Sequence, residues 1–174
     1  MYILVVRHFK TDSRDRINYP KVNYEASRYV DHIIDYINKF GIEKIEFHSS
    51  PHDRTFLTSC VLSNILKDRI KITIENPICT NEINRDPLKK RKNEIYTYFK
   101  ELIRNGYFSE KKLVIYVTHS SVYKTIVNSI IQCVSKTDKI DDRDWYIHSY
   151  SMSHITYHDG KLKYSYNRDM HPSK

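Results

Sequence analysis

The chain has 174 residues, 40% of them hydrophobic, with 15 Tyr but only 3 Gly, which excludes disordered, collagen-like and linker-like sequences. This length suits a single domain over residues 1–174 whose core needs neither disulfides nor a metal. The net charge of +8 favours an anionic partner, without separating a phosphorylated metabolite from a phosphoprotein or nucleic acid.

Strand and helix patterns alternate along nearly the whole chain. Short continuous apolar runs are typical of strands buried on both faces of a sheet, and apolar residues at three- and four-residue spacing predict the helices that cover them. In chain order we predict a strand over 2–6, a helix over 26–40, a strand over 45–48, a helix from Ser50-Pro51 to about 67, a strand over 70–74, a helix over 88–105, a strand over 113–117, a helix over 120–134, and strands over 153–157 and 162–166.

This alternation predicts an α/β fold, a three-layer α/β/α sandwich around a mixed, mostly parallel sheet of about six strands. Residues 70–74 alternate apolar side chains with Lys71 and Thr73, which indicates a strand nearer an edge. The last two strands flank Asp159-Gly160, a pair typical of a two-residue hairpin. One antiparallel strand is therefore expected near the C-terminal end of the sheet.

Histidines follow the two most apolar strands. Arg7-His8 comes directly after the first strand and His119 after the fourth. Ligands of open α/β sheets bind beyond the carboxyl ends of the strands, so both imidazoles are expected in one pocket. The second strand leads through Ser50-Pro51, a predicted N-cap and first helical position, to Arg54 at the same edge of the sheet.

Two arginines and two histidines at one edge suit a phosphate dianion. Guanidinium groups match phosphate oxygens, and helix N-termini add backbone N–H donors. Nearby positive charge disfavours protonation of His8, so this imidazole is expected to be neutral and nucleophilic at cellular pH. The residues predict a phosphate site and leave open whether the site is catalytic.

Four blocks of the sequence resemble the histidine phosphatase superfamily, which also contains the phosphoglycerate mutases. Residues 4–11 are similar to its Arg-His-Gly signature, and residues 49–54, with Thr58 four positions on, are similar to its Ser-Ser-Pro-x-x-Arg block. Residues 117–122 are similar to its second-histidine block. Residues 151–171 are similar to its closing hairpin, with Asn167 and His171 in the expected places. The chain departs from this pattern at Phe9 and at Ser120-Ser121, where the family has glycines.

The resemblance implies a phosphoglycerate mutase-like fold and roles for single residues. His8 would be the catalytic nucleophile that forms a phosphohistidine. Arg7, Arg54 and His119 would hold the phosphoryl oxygens, with His119 also taking part in catalysis.

The superfamily also uses an acidic residue as proton donor, commonly in the loop after the third strand. Glu82 is the best match there, and Asp86 and Asp12 remain alternatives. A bound phosphate dianion would favour the protonated form of such a carboxyl group, which could then give its proton to the leaving oxygen.

We expect a histidine acid phosphatase-type enzyme that hydrolyses a phosphorylated small molecule or a phosphoprotein. Mutases of the superfamily resemble longer chains with segments that cover the site, whereas this chain has one modest insertion over 86–109, and an open pocket admits water to the phosphohistidine. Mutase-type transfer and a non-catalytic module that binds phosphate or nucleic acid remain alternatives. Within the loop after the first strand, Lys10, Arg14 and Arg16 are candidates for substrate contact.

Nucleic acid is the less favoured partner. The basic run over 89–92 prompts that alternative, but a solvated helix face is the commoner meaning of such a run.

Neither a cofactor nor a metal is expected, since arginines and helix N-termini neutralise phosphate without one and the remaining histidines lack metal-ligand spacing. Three widely separated cysteines favour a reduced intracellular setting. No apolar stretch approaches a membrane span, so we expect a soluble, cytoplasmic protein without a membrane partner. The sequence determines neither the physiological substrate nor the oligomeric state.

Overall fold

The computed structural model describes residues 1–9, 22–50, 52–75, 88–108, 111–135 and 151–167. Within these ranges strands and helices alternate as the apolar pattern predicts. The elements are β1 (Tyr2–Arg7), α1 (Val22–Phe40), β2 (Lys44–Ser49), α2 (Asp53–Leu66), β3 (Lys71–Glu75), α3 (Leu88–Arg104), β4 (Lys112–Thr118), α4 (Ser120–Ser135), β5 (Met152–His158) and β6 (Lys161–Asn167).

The strands form a mixed six-stranded sheet in the order β3-β2-β4-β1-β5-β6. Strands β1 to β4 pair in parallel, whereas β5 is antiparallel to both of its neighbours. The predicted antiparallel strand near the C-terminal end is therefore β5, and β3 lies at an edge as its alternating pattern indicates. Arg7 pairs with Thr118, so the next residues of each strand, His8 and His119, leave the sheet side by side.

Hydrophobic residues fill a core on each face of the sheet. Along β1, Leu4 and Val6 pack with residues of α1 and α2, while Ile3 and Val5 pack with residues of α3 and α4. Burial on both faces explains why this strand is apolar at every position from Tyr2 to Val6 rather than at alternate ones. The predicted three-layer α/β/α architecture is confirmed.

The turn between β5 and β6 has the backbone that its sequence predicts. Asp159 has φ 48° and Gly160 has φ 74°, so both central residues are left-handed, as a type I′ hairpin requires. Gly tolerates this conformation without a steric penalty, and Asp is among the residues that adopt it most readily.

Helix α2 begins later than the sequence predicts. The N-cap residue is His52, so the predicted N-cap at Ser50 was wrong. The Ser50 N–H donates to the Val117 carbonyl at 3.3 Å, and the Ser50 carbonyl accepts from Thr55 Oγ1 at 2.8 Å. Ser50 therefore continues the pairing of β2 with β4 instead of opening the helix.

Among the described helices, none combines the length and the apolar character needed to cross a bilayer.

Candidate active site

Three chain segments meet at the carboxyl edge of the sheet. The backbone N–H of His8 donates to the Thr118 carbonyl at 3.0 Å, which ties the segment after β1 to the end of β4. The rings of His8 and His119 lie 5.1 Å apart between centroids. The first turn of α2 brings Arg54 to the same place, because Arg54 Nε lies 3.1 Å from His119 Nδ1.

The two helix N-termini at this edge add positive potential. The carbonyl of His119 accepts from the backbone N–H of Tyr123 at 2.8 Å, so this residue stands directly before α4. His52 holds the equivalent position before α2. Unpaired N–H groups and the helix dipole make both positions favourable for an anion.

The proton of His8 lies on Nδ1. This atom is 2.6 Å from the Phe9 carbonyl oxygen, and a carbonyl can only accept a hydrogen bond. In the neutral ring the lone pair is therefore on Nε2, the atom that a nucleophilic imidazole would use.

The neighbouring imidazole has the opposite tautomer. Arg54 Nε is a hydrogen-bond donor only, so Nδ1 of His119 accepts from it and the ring proton lies on Nε2. The pocket thus contains one imidazole with a lone pair on Nε2 and a second with an N–H donor on Nε2.

Burial and positive charge keep both rings neutral. Burial, aided by the guanidinium groups of Arg54 and Arg7, lowers the pKa of His8 to about 4, although the hydrogen bond to Phe9 opposes this change. Burial and then Arg54 lower the pKa of His119 to about 3. At neutral pH the positive charge of the site therefore belongs to the arginines, while the imidazoles are uncharged.

A third imidazole belongs to this site, and sequence reasoning assigned it no role. The half-buried ring of His52 meets the ring of His119 edge to face, with centroids 4.9 Å apart. Its proximity also contributes to lowering the pKa values of His8 and His119. Its position in the sequence, two residues before Arg54 at the expected start of a helix, could have indicated that it belongs to the site.

The phenylalanine that stands in place of the family glycine points into the core. Phe9 is 1% exposed and packs with α1, its ring centroid 5.5 Å from that of Tyr29. Its φ is outside the left-handed region that favours glycine. The side chain therefore occupies the core between β1 and α1.

The structure brings together Arg7, His8, Arg54 and His119 among the predicted site residues. The other predicted residues lie outside the described residues: the predicted proton donor Glu82 and its alternatives Asp86 and Asp12, the loop residues Lys10, Arg14 and Arg16, and His171. Ser121 and Asn167 lie in described elements, but their side chains fall outside the described part of the structure. Within the described ranges, no group of three or more His, Cys, Asp or Glu side chains is arranged to hold a metal ion.

No protein-family model matches the sequence, and no curated protein matches it at the sequence level. The fold is similar to that of a phosphoserine phosphatase from Entamoeba histolytica, a histidine-to-alanine variant in complex with phosphoserine, with a TM-score of 0.53, 13% identity and 96% of each chain covered. A phosphoglycerate mutase from Plasmodium falciparum has a TM-score of 0.49 at 15% identity, over 96% of this chain and 88% of that one. A mycobacterial glucosyl-3-phosphoglycerate phosphatase has a TM-score of 0.48 at 13% identity, over 95% and 96%.

The likeness to the phosphoserine phosphatase covers 96% of the chain, and at 13% identity it is evidence for the fold alone. The resemblance of the four sequence blocks implied a phosphoglycerate mutase-like fold before the structure was known. The structure and this likeness confirm that fold.

Proposed function

We propose that this protein is a phosphatase that hydrolyses phosphomonoesters through a phosphohistidine intermediate on His8. The observation that carries the proposal is the pair of complementary tautomers. His8 has its proton on Nδ1, and His119 is held by Arg54 with its proton on Nε2. One ring can attack phosphorus while the other donates to a phosphoryl oxygen.

Binding of the phosphoryl group would use positive charge that is already in place. Arg7 and Arg54 neutralise a dianion, and His119 and the N-termini of α2 and α4 supply N–H donors. None of these groups has to change its protonation state when the anion arrives, so little reorganisation accompanies binding.

In the first chemical step, the lone pair on Nε2 of His8 forms a bond to phosphorus as the ester P–O bond breaks. The leaving oxygen takes a proton, for which Glu82 is our proposed donor. His8 keeps its proton on Nδ1 and becomes a cationic phosphoimidazole. The Phe9 carbonyl, 2.6 Å from Nδ1, stabilises this charge through its hydrogen bond.

Water completes the reaction. It attacks phosphorus and gives one proton to the carboxylate of Glu82, our proposed base, the P–N bond breaks, and inorganic phosphate leaves with the oxygen of the water. The imidazole returns to its neutral form with the proton still on Nδ1, so the same tautomer starts the next cycle.

The proposed substrate is a phosphorylated small molecule or a phosphoprotein, and Lys10, Arg14 and Arg16 remain candidates for contacts with it. The protein of similar fold from Entamoeba histolytica is a phosphoserine phosphatase in complex with phosphoserine. Phosphoserine and phosphoserine-containing peptides are therefore the first substrates to test.

The proposal is tested with p-nitrophenyl phosphate as a generic aryl phosphate. We expect wild-type turnover, loss of turnover in His8→Ala, and wild-type turnover in the control His158→Ala, which removes an exposed histidine from the β5–β6 hairpin. Rapid quench of a ³²P-labelled substrate into alkaline denaturant, in which phosphohistidine is stable, should trap a phosphoenzyme in the wild type and in His158→Ala but not in His8→Ala. Absence of wild-type turnover on every phosphate ester tried, together with phosphate binding, would favour a non-catalytic module.

Incubation with 3-phosphoglycerate and catalytic bisphosphoglycerate separates the two phosphoryl-transfer reactions. A phosphatase should release inorganic phosphate. Isomer exchange without phosphate release would identify a mutase and defeat the phosphatase proposal.

A further inference from the structure

One hydroxyl group links the nucleophile segment to helix α2. The side chain of Thr58 is buried, at 1% exposure, one helical turn after Arg54. Its Oγ1 accepts from the backbone N–H of Phe9 at 3.1 Å and donates to the Arg54 carbonyl at 2.7 Å. The hydroxyl is therefore used as acceptor and as donor at once.

A threonine that bonds the carbonyl four residues before it is common in helices, so that contact alone would carry no meaning. The contact to Phe9 is different, because it joins residues 49 positions apart in the sequence. The neighbouring Ser59 is the ordinary case, since its Oγ donates to the carbonyl of Thr55 in the same helix at 3.2 Å.

The bridge reaches the nucleophile through one residue. Phe9 offers its N–H to Thr58 and its carbonyl to Nδ1 of His8. Its ring is packed in the core against Tyr29, whose hydroxyl donates to the Arg7 carbonyl at 3.3 Å. Residue 9 is held through its N–H and its ring, so the carbonyl that sets the His8 tautomer has a fixed direction.

The other end of the bridge reaches the second histidine. The Arg54 carbonyl that Thr58 bonds belongs to the residue whose Nε sets the tautomer of His119. A single buried hydroxyl thus joins the two backbone positions on which both tautomers depend.

We propose that Thr58 is a positioning residue, whose hydroxyl holds His8 and the Arg54–His119 pair at a fixed separation and keeps the lone pair of His8 on Nε2. Its effect on rate rests on the proposed phosphatase function. Thr58 acts through Phe9 and Arg54, and its hydroxyl has both of its hydrogen bonds committed to backbone groups.

The kinetic test compares three variants on p-nitrophenyl phosphate. Thr58→Val keeps the shape of the side chain and removes the hydroxyl, so kcat should fall by about 10- to 100-fold, as expected from a small misplacement of reacting groups, with KM nearly unchanged. Thr58→Ser keeps the hydroxyl and should restore kcat to within about threefold of the wild type. The matched control Ser59→Ala removes a buried hydroxyl of the same helix and should leave kcat near the wild-type value.

A second readout does not depend on turnover. In ¹⁵N-labelled wild-type protein, the imidazole of His8 should show one tautomer with the proton on Nδ1, and Thr58→Val should show a mixture of both. If this variant does not fold, Thr58→Ala gives the same comparison with a smaller side chain.

Different results would contradict the positioning role of Thr58 and the phosphatase proposal. Wild-type kcat together with a single His8 tautomer in Thr58→Val overturns the positioning role and leaves the phosphatase proposal intact. A wild type without turnover on any phosphate ester removes the phosphatase proposal, while the NMR comparison still decides whether Thr58 controls His8.

Discussion

Two buried histidines on neighbouring strands of one sheet have opposite surroundings. His48 on β2 and His119 just after β4 are each 3% exposed. Nε2 of His48 donates to the carboxylate of Glu46 at 2.6 Å, whereas Nδ1 of His119 accepts from the guanidinium of Arg54 at 3.1 Å. Equal burial therefore accompanies opposite electrostatic roles, and the charge of the neighbouring group makes the difference.

The cluster around His48 has the features of a structural ion pair. The Tyr107 hydroxyl lies 3.0 Å from Nε2 of His48, and Lys112 lies 3.4 Å from the second carboxylate oxygen of Glu46. The same ammonium group sits 3.4 Å from the centroid of the Tyr107 ring. These contacts pair the buried carboxylate of Glu46 with groups of the protein and connect β2 and β4 to the residues after α3. In our proposal, the positive charge around His119 is instead available to a ligand.

The largest difference between the two histidines should appear in catalysis. Replacing His119 by Ala removes the proposed donor to the phosphoryl group, so kcat/KM on p-nitrophenyl phosphate should fall by about 10² to 10³-fold. His48→Gln keeps an N–H donor for Glu46 and should leave kcat/KM within about threefold of the wild type. An equal loss of activity in both variants would break the distinction between a ligand site and a structural pair.

For the stability of the fold, the cluster around His48 should matter more than the site around His119. Glu46→Leu removes the acceptor of a buried hydrogen-bonded pair and leaves His48 and Lys112 without its carboxylate, so the free energy of unfolding should fall by about 3 kcal/mol. Urea denaturation followed by circular dichroism measures the change. His119→Ala, which removes a neutral ring from a cationic pocket, should cost less, and a larger cost for His119→Ala would contradict the assignment.

The two clusters should also respond to acid in different ranges. His8 and His119 have pKa values of about 4 and about 3 in the folded protein, below the ordinary histidine value of about 6.5 in the unfolded chain. The unfolded state therefore binds more protons between these limits, and stability should fall as the pH is lowered from about 6.5 to about 4.

Glu46 acts at lower pH. Burial would raise the pKa of its carboxyl group, but His48 and Lys112 together hold it below the ordinary value. The contribution of Glu46 to stability is therefore present above the unfolded pKa of a glutamate, about 4.3, and lost as the pH falls further. Unfolding measured at several pH values should show a shallower loss of stability between about pH 6.5 and 4.5 in His8→Asn than in the wild type.

The smallest expected effect on stability comes from Tyr107, which contacts His48 and Lys112. Tyr107→Phe keeps the ring beneath Lys112 and removes the hydroxyl near His48, so the free energy of unfolding should fall by about 1 kcal/mol. Activity on p-nitrophenyl phosphate should not change. A change in kcat with unchanged stability would show that the two clusters are coupled.

The strands, the helices and the edge of the sheet that bears the site follow from the sequence, because continuous apolar runs and helical spacing are local signals. Arg7, His8, Arg54 and His119 could be placed together for the same reason, since the carboxyl ends of parallel strands share one edge. The pairing of His48 with Glu46 could not be predicted, because an Ile-Glu-Phe-His alternation is equally typical of a strand with one solvated face.

Contacts between distant residues escaped prediction for a related reason. Which side of the chain the Phe9 ring takes depends on how α1 packs against β1, and the Phe9–Thr58 bond joins segments that meet only in the folded protein. The late start of α2, which makes His52 its N-cap, depends on the pairing of Ser50 with Val117, which is again a tertiary contact.

The aromatic side chain next to His8 has a consequence for local unfolding. A glycine-bearing segment could open on its own, but here opening would pull the ring of Phe9 out of the core and expose it to water, at a cost of about 2 to 3 kcal/mol. The amide proton of Phe9 should therefore exchange with solvent only in the rare, large openings that also expose β1. The proposed phosphate site and the core around β1 would then share one cooperative unit.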